Sequence, residues 1–195
     1  MNWRLAITFA EHISMALSNL RLWQTLRDQS IRDQLTGLFN RRYLDETLNR
    51  EIRRAVRSHK PIGVIMFDID HFKKFNDNYG HEAGDVLLSA LGSFLKAHTR
   101  GGDIACRYGG EEFTLIIPEA TLEDTKKRAE ELQAGVRELQ VHYRDKPLGK
   151  VTVSLGVAVF PEHGDTAEDI LVAADSALYQ AKRDGRNRVV VSNRK

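Results

Sequence analysis

The stretch Ile104–Ile117, with the sequence IACRYGGEEFTLII, decides the fold of this chain. Two short apolar runs flank Gly109-Gly110 within it. Because glycine accepts the positive φ angles of a tight turn, this pattern predicts a β-hairpin. Glu111 and Glu112 follow the turn directly, so the hairpin would present two carboxylates at one end of a sheet.

Strands and helices alternate on both sides of this hairpin. Apolar residues recur with a period of two in the strand segments and about 3.6 in the helical ones. The mixture of crossovers with a hairpin favours an α+β fold with a mainly antiparallel sheet. The predicted elements are a buried strand at Ile62–Ile69, a helix over Gly84–Ala97, a helix that starts at a capping box of Thr121 and Asp124 and runs to about Gln140, a half-buried strand at Val151–Phe160, a helix that opens at Thr166–Asp169 and a short strand at Val189–Val191.

The N-terminal residues 1–30 contain neither glycine nor proline. They carry an apolar stripe with spacings of four and three, formed by Phe9, Ile13, Ala16, Leu20 and Trp23. Such a stripe predicts a helix that packs against a partner helix. A helix that lies on its own domain is an equal alternative, since the stripe covers only about two heptads. Arg27–Gly37 is interpreted as a polar joint to the main domain.

Composition restricts the class of protein. A formal charge of +2 over 195 residues gives no argument for a nucleic-acid-binding surface. The single cysteine, Cys106, excludes an intrachain disulfide and indicates a reducing, cytoplasmic compartment. No apolar run reaches the ~20 residues that span a bilayer. The sequence leaves open whether the chain comes from a larger or membrane-attached parent protein.

Four acids form a second pattern. Asp68 and Asp70 follow the apolar strand and point to the same face, because side chains two apart on a strand do so. If the hairpin lies beside that strand, Asp68 converges with one of the two glutamates, Glu111 or Glu112. Oxygen ligands of this kind suit Mg²⁺. The alternative is that these acids only cap strand ends or pair with neighbouring basic residues.

Together these segments resemble the GGDEF diguanylate cyclases. The residues from Arg107 to Phe113, RYGGEEF, are similar to the signature loop of that family in its GGEEF form. The resemblance extends in family order from Asp33 to about Val190. Its further blocks are Asp33–Arg42, Asp68–Lys73, Asn76–Asp85 and Ala174–Asn187.

The resemblance implies a fold and a reaction. The fold is α+β, with a ferredoxin-like, palm-type sheet flanked by helices and related to class III nucleotidyl cyclases. The reaction condenses two GTP molecules into cyclic di-GMP and two pyrophosphates in a homodimer, with one GTP per protomer. Residues 33–195 would form the cyclase domain. Residues 1–32 would form a helix or linker, a dimerisation stalk that leads from an upstream sensor module.

The resemblance also implies roles at the metal. Asp68 and Glu111 would bind Mg²⁺, with Mn²⁺ as a substitute. The Ile69 carbonyl would assist, and Asp70 would lie at the second metal position. Glu112 would support the site and is a candidate acceptor for the 3′-hydroxyl proton. Such phosphoryl chemistry depends on positioning and charge neutralisation more than on covalent help from the protein.

Substrate contacts are implied in the same way. Asn76 and Asp85 would bind the guanine edge, where a carboxylate accepts hydrogen bonds from N1–H and the N2 amine together. The remaining contacts are to phosphate: Phe72 and Lys73 along the triphosphate, with Lys73 also in the catalytic set, and Lys182 and Arg186 from the last helix. From spacing alone, Asn76 as a helix cap and Asp85 as an N-terminal helix acid are the alternatives.

A regulatory site is implied shortly before the signature loop. Arg100 and Asp103 have the Arg-x-x-Asp form that marks a product-binding inhibitory site in this family, with Arg128 as a further ligand. Glu131 stands near the position where a second arginine is expected, and this departure weakens the expectation of tight inhibition. A plain surface turn is the alternative.

Two other functions compete with the cyclase. The first is a non-catalytic receptor for GTP or cyclic di-GMP on the same fold. Such receptors usually have an eroded signature loop, whereas Glu111, Glu112, Asp68 and Lys182 are all present here. The second is a purine cyclase that acts within one nucleotide. The products formed from GTP and Mg²⁺ discriminate the three.

Overall fold

The structure is a computed structural model that describes residues 3–193. A central sheet with the strand order β1-β3-β4-β2-β7-β8 organises the domain, and β5 and β6 form a separate hairpin. The strands are β1 (Phe39–Asn40), β2 (Ile62–Ile69), β3 (Ile104–Gly109), β4 (Glu112–Pro118), β5 (His142–Tyr143), β6 (Lys146–Pro147), β7 (Val153–Phe160) and β8 (Val189–Val191). The helices are α1 (Trp3–Ile31), α2 (Arg41–Ser58), α3 (Phe72–Tyr79), α4 (His81–His98), α5 (Leu122–Arg137) and α6 (Ala167–Arg183).

The sheet is mainly antiparallel, as predicted. The pairs β3–β4, β4–β2 and β2–β7 are antiparallel, and only the outer pairs β1–β3 and β7–β8 are parallel. The predicted hairpin is confirmed, and it lies directly beside β2. The capping box at Thr121 and Asp124 is also confirmed, although α5 ends at Arg137 rather than at Gln140.

Helices cover both faces of the sheet. Residues Ile65, Phe67 and Ile69 of β2 face the core beneath α3, α4 and α5, whereas Val64 and Met66 face the core beneath α2 and α6. Because both faces are covered, this central strand is buried throughout and apolar except for Asp68.

The prediction of a half-buried strand at Val151–Phe160 is wrong, because every residue of β7 is buried. Small residues let α6 lie directly on this strand. A Cβ atom at Gly156 would lie 2.1 Å from the Ala174 carbonyl oxygen and 2.3 Å from the Leu178 nitrogen. Glycine is therefore required at this position, and the packing that it permits removes the solvent-facing side of the strand.

The N-terminal helix differs from the others. It continues through Ile31, so the predicted polar joint at Arg27–Gly37 is wrong in its first half, since no glycine or proline interrupts the helix there. Phe9, Ile13 and Leu20 are each more than half exposed. These side chains are not covered by the domain in the described chain, so the structure gives no support to the alternative in which this helix lies on its own domain. No helix within residues 3–193 has the length and apolar character needed to cross a membrane.

Candidate active site

The acidic edge of the sheet forms where β2 ends. Asp68 is only 5% exposed and lies opposite Glu112 across the β2–β4 ladder. The Ile69 N–H donates to the Glu111 carbonyl at 3.4 Å, which fastens the turn of the hairpin to β2. Lys182, near the end of α6, places its Nζ 2.8 Å from Asp68 Oδ2. The structure thus brings together three of the predicted acids and one predicted phosphate-binding lysine.

The electrostatics of this edge favour a cation. Burial raises the pKa of Asp68 above its ordinary value despite the attraction of Lys182, and the charges of Glu112 and Asp70 raise it further. Burial also raises the pKa of Glu111, and the charge of Asp68 adds to that effect. Since a positive ion nearby favours the charged form of both groups, the pair is suited to bind one.

The donor set fits Mg²⁺ only in part. Within the described residues, no group of three or more His, Cys, Asp and Glu side chains is arranged to hold a metal ion. Asp68 and Glu111 supply two carboxylates, and the Ile69 carbonyl belongs to the same edge. Mg²⁺ commonly keeps waters and takes substrate phosphate oxygens at its other positions, so two carboxylates are compatible with a metal that would arrive with a triphosphate.

Helix α3 starts beside these acids. His71 precedes it with φ 59° and provides no side-chain cap, so the first amides of the helix have no intrahelical acceptor and favour an anion. Phe72 is buried in the core, and its predicted contact with the triphosphate therefore depends on its backbone amide alone. Lys73, the next residue, is exposed.

The junction of α3 and α4 contains an unsatisfied polar atom. The Asn76 Oδ1 is buried and has no hydrogen-bond partner within the part of the chain that is described. It lies against Gly84, where an added Cβ would come within 2.0 Å of it. Asp85 follows on the first turns of α4 and is exposed. A buried amide oxygen without a donor is unfavourable, and a ligand that donates a hydrogen bond here would remove the penalty.

This arrangement of acids, cations and an unpaired amide agrees with what sequence comparison finds. A family profile for "Diguanylate cyclase, GGDEF domain" matches residues 30–188. The chain belongs to the GGDEF domain family.

Curated relatives and solved structures support this assignment. The response regulator PleD of Caulobacter vibrioides is 42% identical over 164 residues, which cover 83% of this chain and 36% of PleD. The diguanylate cyclase VdcA of Vibrio cholerae is 41% identical over 160 residues, which cover 81% of this chain and 46% of VdcA. The chain therefore spans less than half of either relative.

A crystal structure of the coiled coil and GGDEF domain of DgcB from Caulobacter crescentus, in complex with c-di-GMP, has a TM-score of 0.87 and 31% identity. The match covers 96% of this chain and 99% of that one. It confirms the predicted fold class, a palm-type sheet flanked by helices.

Sequence reasoning missed the residue that holds the turn of this GGDEF domain. Arg107 donates from Nε and Nη2 to the Gly110 carbonyl, at 2.9 and 2.7 Å. Its Nη1 lies 3.2 Å from Asp33 Oδ2, just after α1 ends. Arg107 begins the RYGGEEF segment, and its contact with Gly110 stays within that segment. Its place just before the turn was the available signal, but its pairing with Asp33 is a long-range contact.

Asp70 is placed differently from the prediction. Its side chain is not free to act as a metal ligand, because three hydrogen-bond donors already contact its two oxygens. These donors are the Ser154 hydroxyl, the Thr152 hydroxyl and the backbone N–H of Asn187. The geometry therefore argues against Asp70 as a ligand of a second metal.

Two of the three cations predicted to bind phosphate lie at one end of α6. Lys182 belongs to its last turn, and Arg186 follows in the turn that leads to β8. The side chain of Arg186 is exposed. The structure thus places both cations within one turn of chain, with Lys182 already directed at Asp68.

The predicted regulatory residues line one depression of about 580 Å³. Within it, Arg128 Nη2 lies 3.4 Å from Asp103 Oδ2, and Arg128 Nη1 lies 3.6 Å from Glu131 Oε2. The Arg100 N–H donates to Asp103 at 2.9 Å, and the Arg100 side chain is exposed. The structure brings Arg100, Asp103 and Arg128 together, but it pairs Arg128 with two acids.

Proposed function

We propose that this domain is a diguanylate cyclase, which condenses two GTP molecules into cyclic di-GMP and two pyrophosphates. One observation carries the proposal. Asp68 and Glu111 meet at one edge of the sheet with raised pKa values, and Lys182 is the cation beside them. Relatives named as diguanylate cyclases support it, as does the intact GGEEF turn.

The triphosphate lies between the start of α3 and the end of α6. The free amides of α3 and the side chain of Lys73 bind phosphate oxygens on one side, and Lys182 and Arg186 bind them on the other. When bound by Asp68 and Glu111, Mg²⁺ would neutralise charge on the phosphates and stabilise the attacking and leaving oxygens. Mn²⁺ would fit the same oxygen ligands.

The chain's own groups orient the attack. The 3′-oxygen of the second GTP forms a bond to the α-phosphorus of the first, and the bond to pyrophosphate breaks in line with it. Glu112, the cross-strand neighbour of Asp68, is the group to which we assign the released proton. Repetition of the step with the roles exchanged closes the ring.

Guanine is recognised at the junction of α3 and α4. Its N2 amine donates to the buried Asn76 Oδ1, and its N1–H and N2 amine donate to Asp85. Adenine offers no such pair of donors, so we assign GTP to both halves of the product.

Two protomers are needed, because each binds one GTP. The exposed apolar stripe of α1 supports a parallel pairing of two copies, with residues 1–32 as the stalk and 33–195 as the cyclase domain. We place the reaction in the cytoplasm, with an upstream sensor module in the full-length parent. We also assign product binding to the depression lined by Arg100, Asp103 and Arg128.

The test is incubation with GTP and Mg²⁺, followed by chromatographic separation of the products. We expect cyclic di-GMP and pyrophosphate in a ratio of one to two, with no product when EDTA is added. Bound nucleotide without turnover would assign a receptor instead, and cyclic GMP would assign a purine cyclase. A version joined to a dimeric fusion partner separates weak dimerisation from lack of activity.

A further inference from the structure

Asp70 has the surroundings of a structural anchor. The carboxylate is 8% exposed, and it accepts from Ser154 Oγ at 2.6 Å, Thr152 Oγ1 at 2.7 Å and the Asn187 N–H at 3.0 Å. A buried carboxylate is unfavourable unless donors replace the water that it loses. Here the donors come from the start of β7 and from the turn that precedes β8, so Asp70 joins these two segments to the end of β2.

The turn that Asp70 holds has a strained backbone. Gly185, Arg186 and Asn187 have φ values of 108°, 62° and 48°. Arginine carries a Cβ that disfavours this left-handed region, which asparagine tolerates better. Strained residues persist where the surroundings enforce them, and they concentrate at functional sites.

A second set of contacts holds the same turn. The Asn187 Oδ1 accepts from Gln133 Nε2 at 3.1 Å and from Arg137 Nη2 at 3.0 Å, both on α5. The Arg186 N–H donates to the Ala181 carbonyl at 3.0 Å, which closes the end of α6. Asn187 is thus fixed through its amide by Asp70 and through its side chain by α5.

The residue between these fixed points is Arg186. Its Cα is one peptide unit from the amide that Asp70 binds, and Lys182, one helical turn earlier, contacts Asp68. An arginine side chain has many rotamers, so a fixed backbone is the main means of directing it toward a phosphate. A turn held in this way would present Arg186 with much of its orientation already set.

We propose that Asp70 is a positioning residue, which holds the strained turn so that Arg186 reaches the triphosphate. This inference rests on the proposed function, because it takes GTP as the ligand of Arg186. It replaces the predicted role of Asp70 in metal binding. The buried Asp70 then acts on the substrate only through the turn at residues 185–187.

The two roles of Asp70 are separated by the substitutions Asp70→Ala and Asp70→Asn. The first removes every acceptor. The second keeps one oxygen that accepts from the Asn187 N–H. Its new amide N–H group can donate a hydrogen bond to the Ser154 hydroxyl oxygen. For the positioning role we expect Asp70→Ala to raise the KM for GTP about tenfold, the loss of roughly one charge-assisted phosphate contact. We expect Asp70→Asn to stay within about threefold, with an unchanged Mg²⁺ requirement.

A double-mutant cycle tests whether Asp70 acts through Arg186. In an Arg186→Ala background, Asp70→Ala should add less than about twofold to the KM, because the side chain that it positions is already gone. Full additivity would overturn the proposal. So would an Asp70→Asn variant that is as impaired as Asp70→Ala and needs several-fold more Mg²⁺, since loss of a metal ligand predicts that result.

Two further measurements keep the test decisive. If Asp70→Ala fails to fold, the Mg²⁺ titration of Asp70→Asn still separates anchor from ligand. Asn187→Gly adds a second route: it keeps the amide and suits the backbone, but it loses the contacts with Gln133 and Arg137, and we expect a raised KM. Calorimetry with a GTP analogue that carries a methylene group between the α- and β-phosphates measures the affinity for the triphosphate without turnover. Failure of the wild type to make cyclic di-GMP would thus be distinguished from failure of the anchor.

Discussion

Two charged regions of this domain are built differently. At the acidic edge, burial raises the pKa of both Asp68 and Glu111, the charge of Asp68 adds to the rise at Glu111, and Lys182 is the cation beside them. In the depression around Arg100, the charges are already paired, since Arg128 contacts both Asp103 and Glu131. A ligand gains free energy at the first region by relieving repulsion. At the second region it must compete with ion pairs that exist before it arrives. Similar numbers of charges can therefore leave repulsion between buried carboxyl groups at one site and pre-formed ion pairs at another.

The strongest way to break this comparison is to neutralise the acidic edge. Glu111→Gln keeps the shape of the side chain but removes the charge that would bind the metal. We expect kcat for cyclic di-GMP formation to fall by about 100-fold or more, since electrostatic stabilisation of this kind supplies several kcal/mol to phosphoryl transfer. The rate of pyrophosphate release provides the measurement.

The matched control is Glu162→Gln, the same change at an exposed glutamate after β7. It should leave the rate unaltered. A Glu111→Gln variant that keeps more than a tenth of the wild-type rate would remove the carboxylate pair from the mechanism.

The parts of this edge that sequence alone predicted are those set by local pattern. Gly109-Gly110 and the flanking apolar runs define the hairpin, and the apolar run of β2 defines its neighbour. Because the hairpin pairs with β2, convergence of Asp68 with the glutamates follows from strand order. The family resemblance added the candidate roles, and the structure brings four of these residues together at one edge of the sheet: Asp68, Glu111, Glu112 and Lys182.

The parts that were missed depend on distant contacts. The donors to Asp70 lie 82, 84 and 117 residues away in the chain, and no periodicity encodes them. Full burial of β7 depends on the close approach of α6 at Gly156, which alternating residues in the strand do not reveal. The predicted joint at Arg27–Gly37 overlaps the end of α1 at Ile31, because polar residues without glycine or proline do not by themselves end a helix.

The second region, the depression around Arg100, is tested by changing its charge balance. Glu131→Arg removes one acid that competes for Arg128 and adds a cation to the depression. We expect the inhibition constant of cyclic di-GMP to fall about tenfold, the effect of one added charge-assisted contact with phosphate. Initial rates at several product concentrations measure this constant.

Arg100→Ala is the opposing variant, and it should abolish inhibition while leaving the initial rate intact. If product inhibits the wild type, Glu131→Arg and Arg100→Ala equally, the depression is not the inhibitory site.

A smaller effect concerns stability without metal. Glu111 has a raised pKa in the folded protein, whereas its carboxyl in the unfolded chain ionises near the ordinary value of 4.5. The folded state therefore binds more protons between these two pKa values, and stability falls as the pH rises through them. The loss of stability is complete above the pKa of Glu111 in the folded protein, and the substitution Glu111→Gln removes it.

We therefore expect Glu111→Gln in EDTA to melt a few degrees above wild type at pH 8, with the difference shrinking toward pH 5. Circular dichroism melts across this range measure it. A difference independent of pH would mean that repulsion at this edge is not its source.

The smallest effect comes from an ion pair of similar length in a different setting. Arg144 Nη2 lies 3.0 Å from Glu82 Oε2 with both side chains 74% exposed, whereas Lys182 Nζ lies 2.8 Å from Asp68 Oδ2 with side chains 30% and 7% exposed. Water and salt screen the first pair, so Arg144→Ala should change neither the melting temperature nor the KM for GTP by a measurable amount.

Lys182→Ala should lower the melting temperature in EDTA, because it leaves Asp68 buried beside Glu111 with no cation, and Mg²⁺ should restore part of the loss. Equal losses from the two substitutions would show that distance rather than burial determines the strength of these pairs, and the contrast between the acidic edge and the rest of the surface would fail.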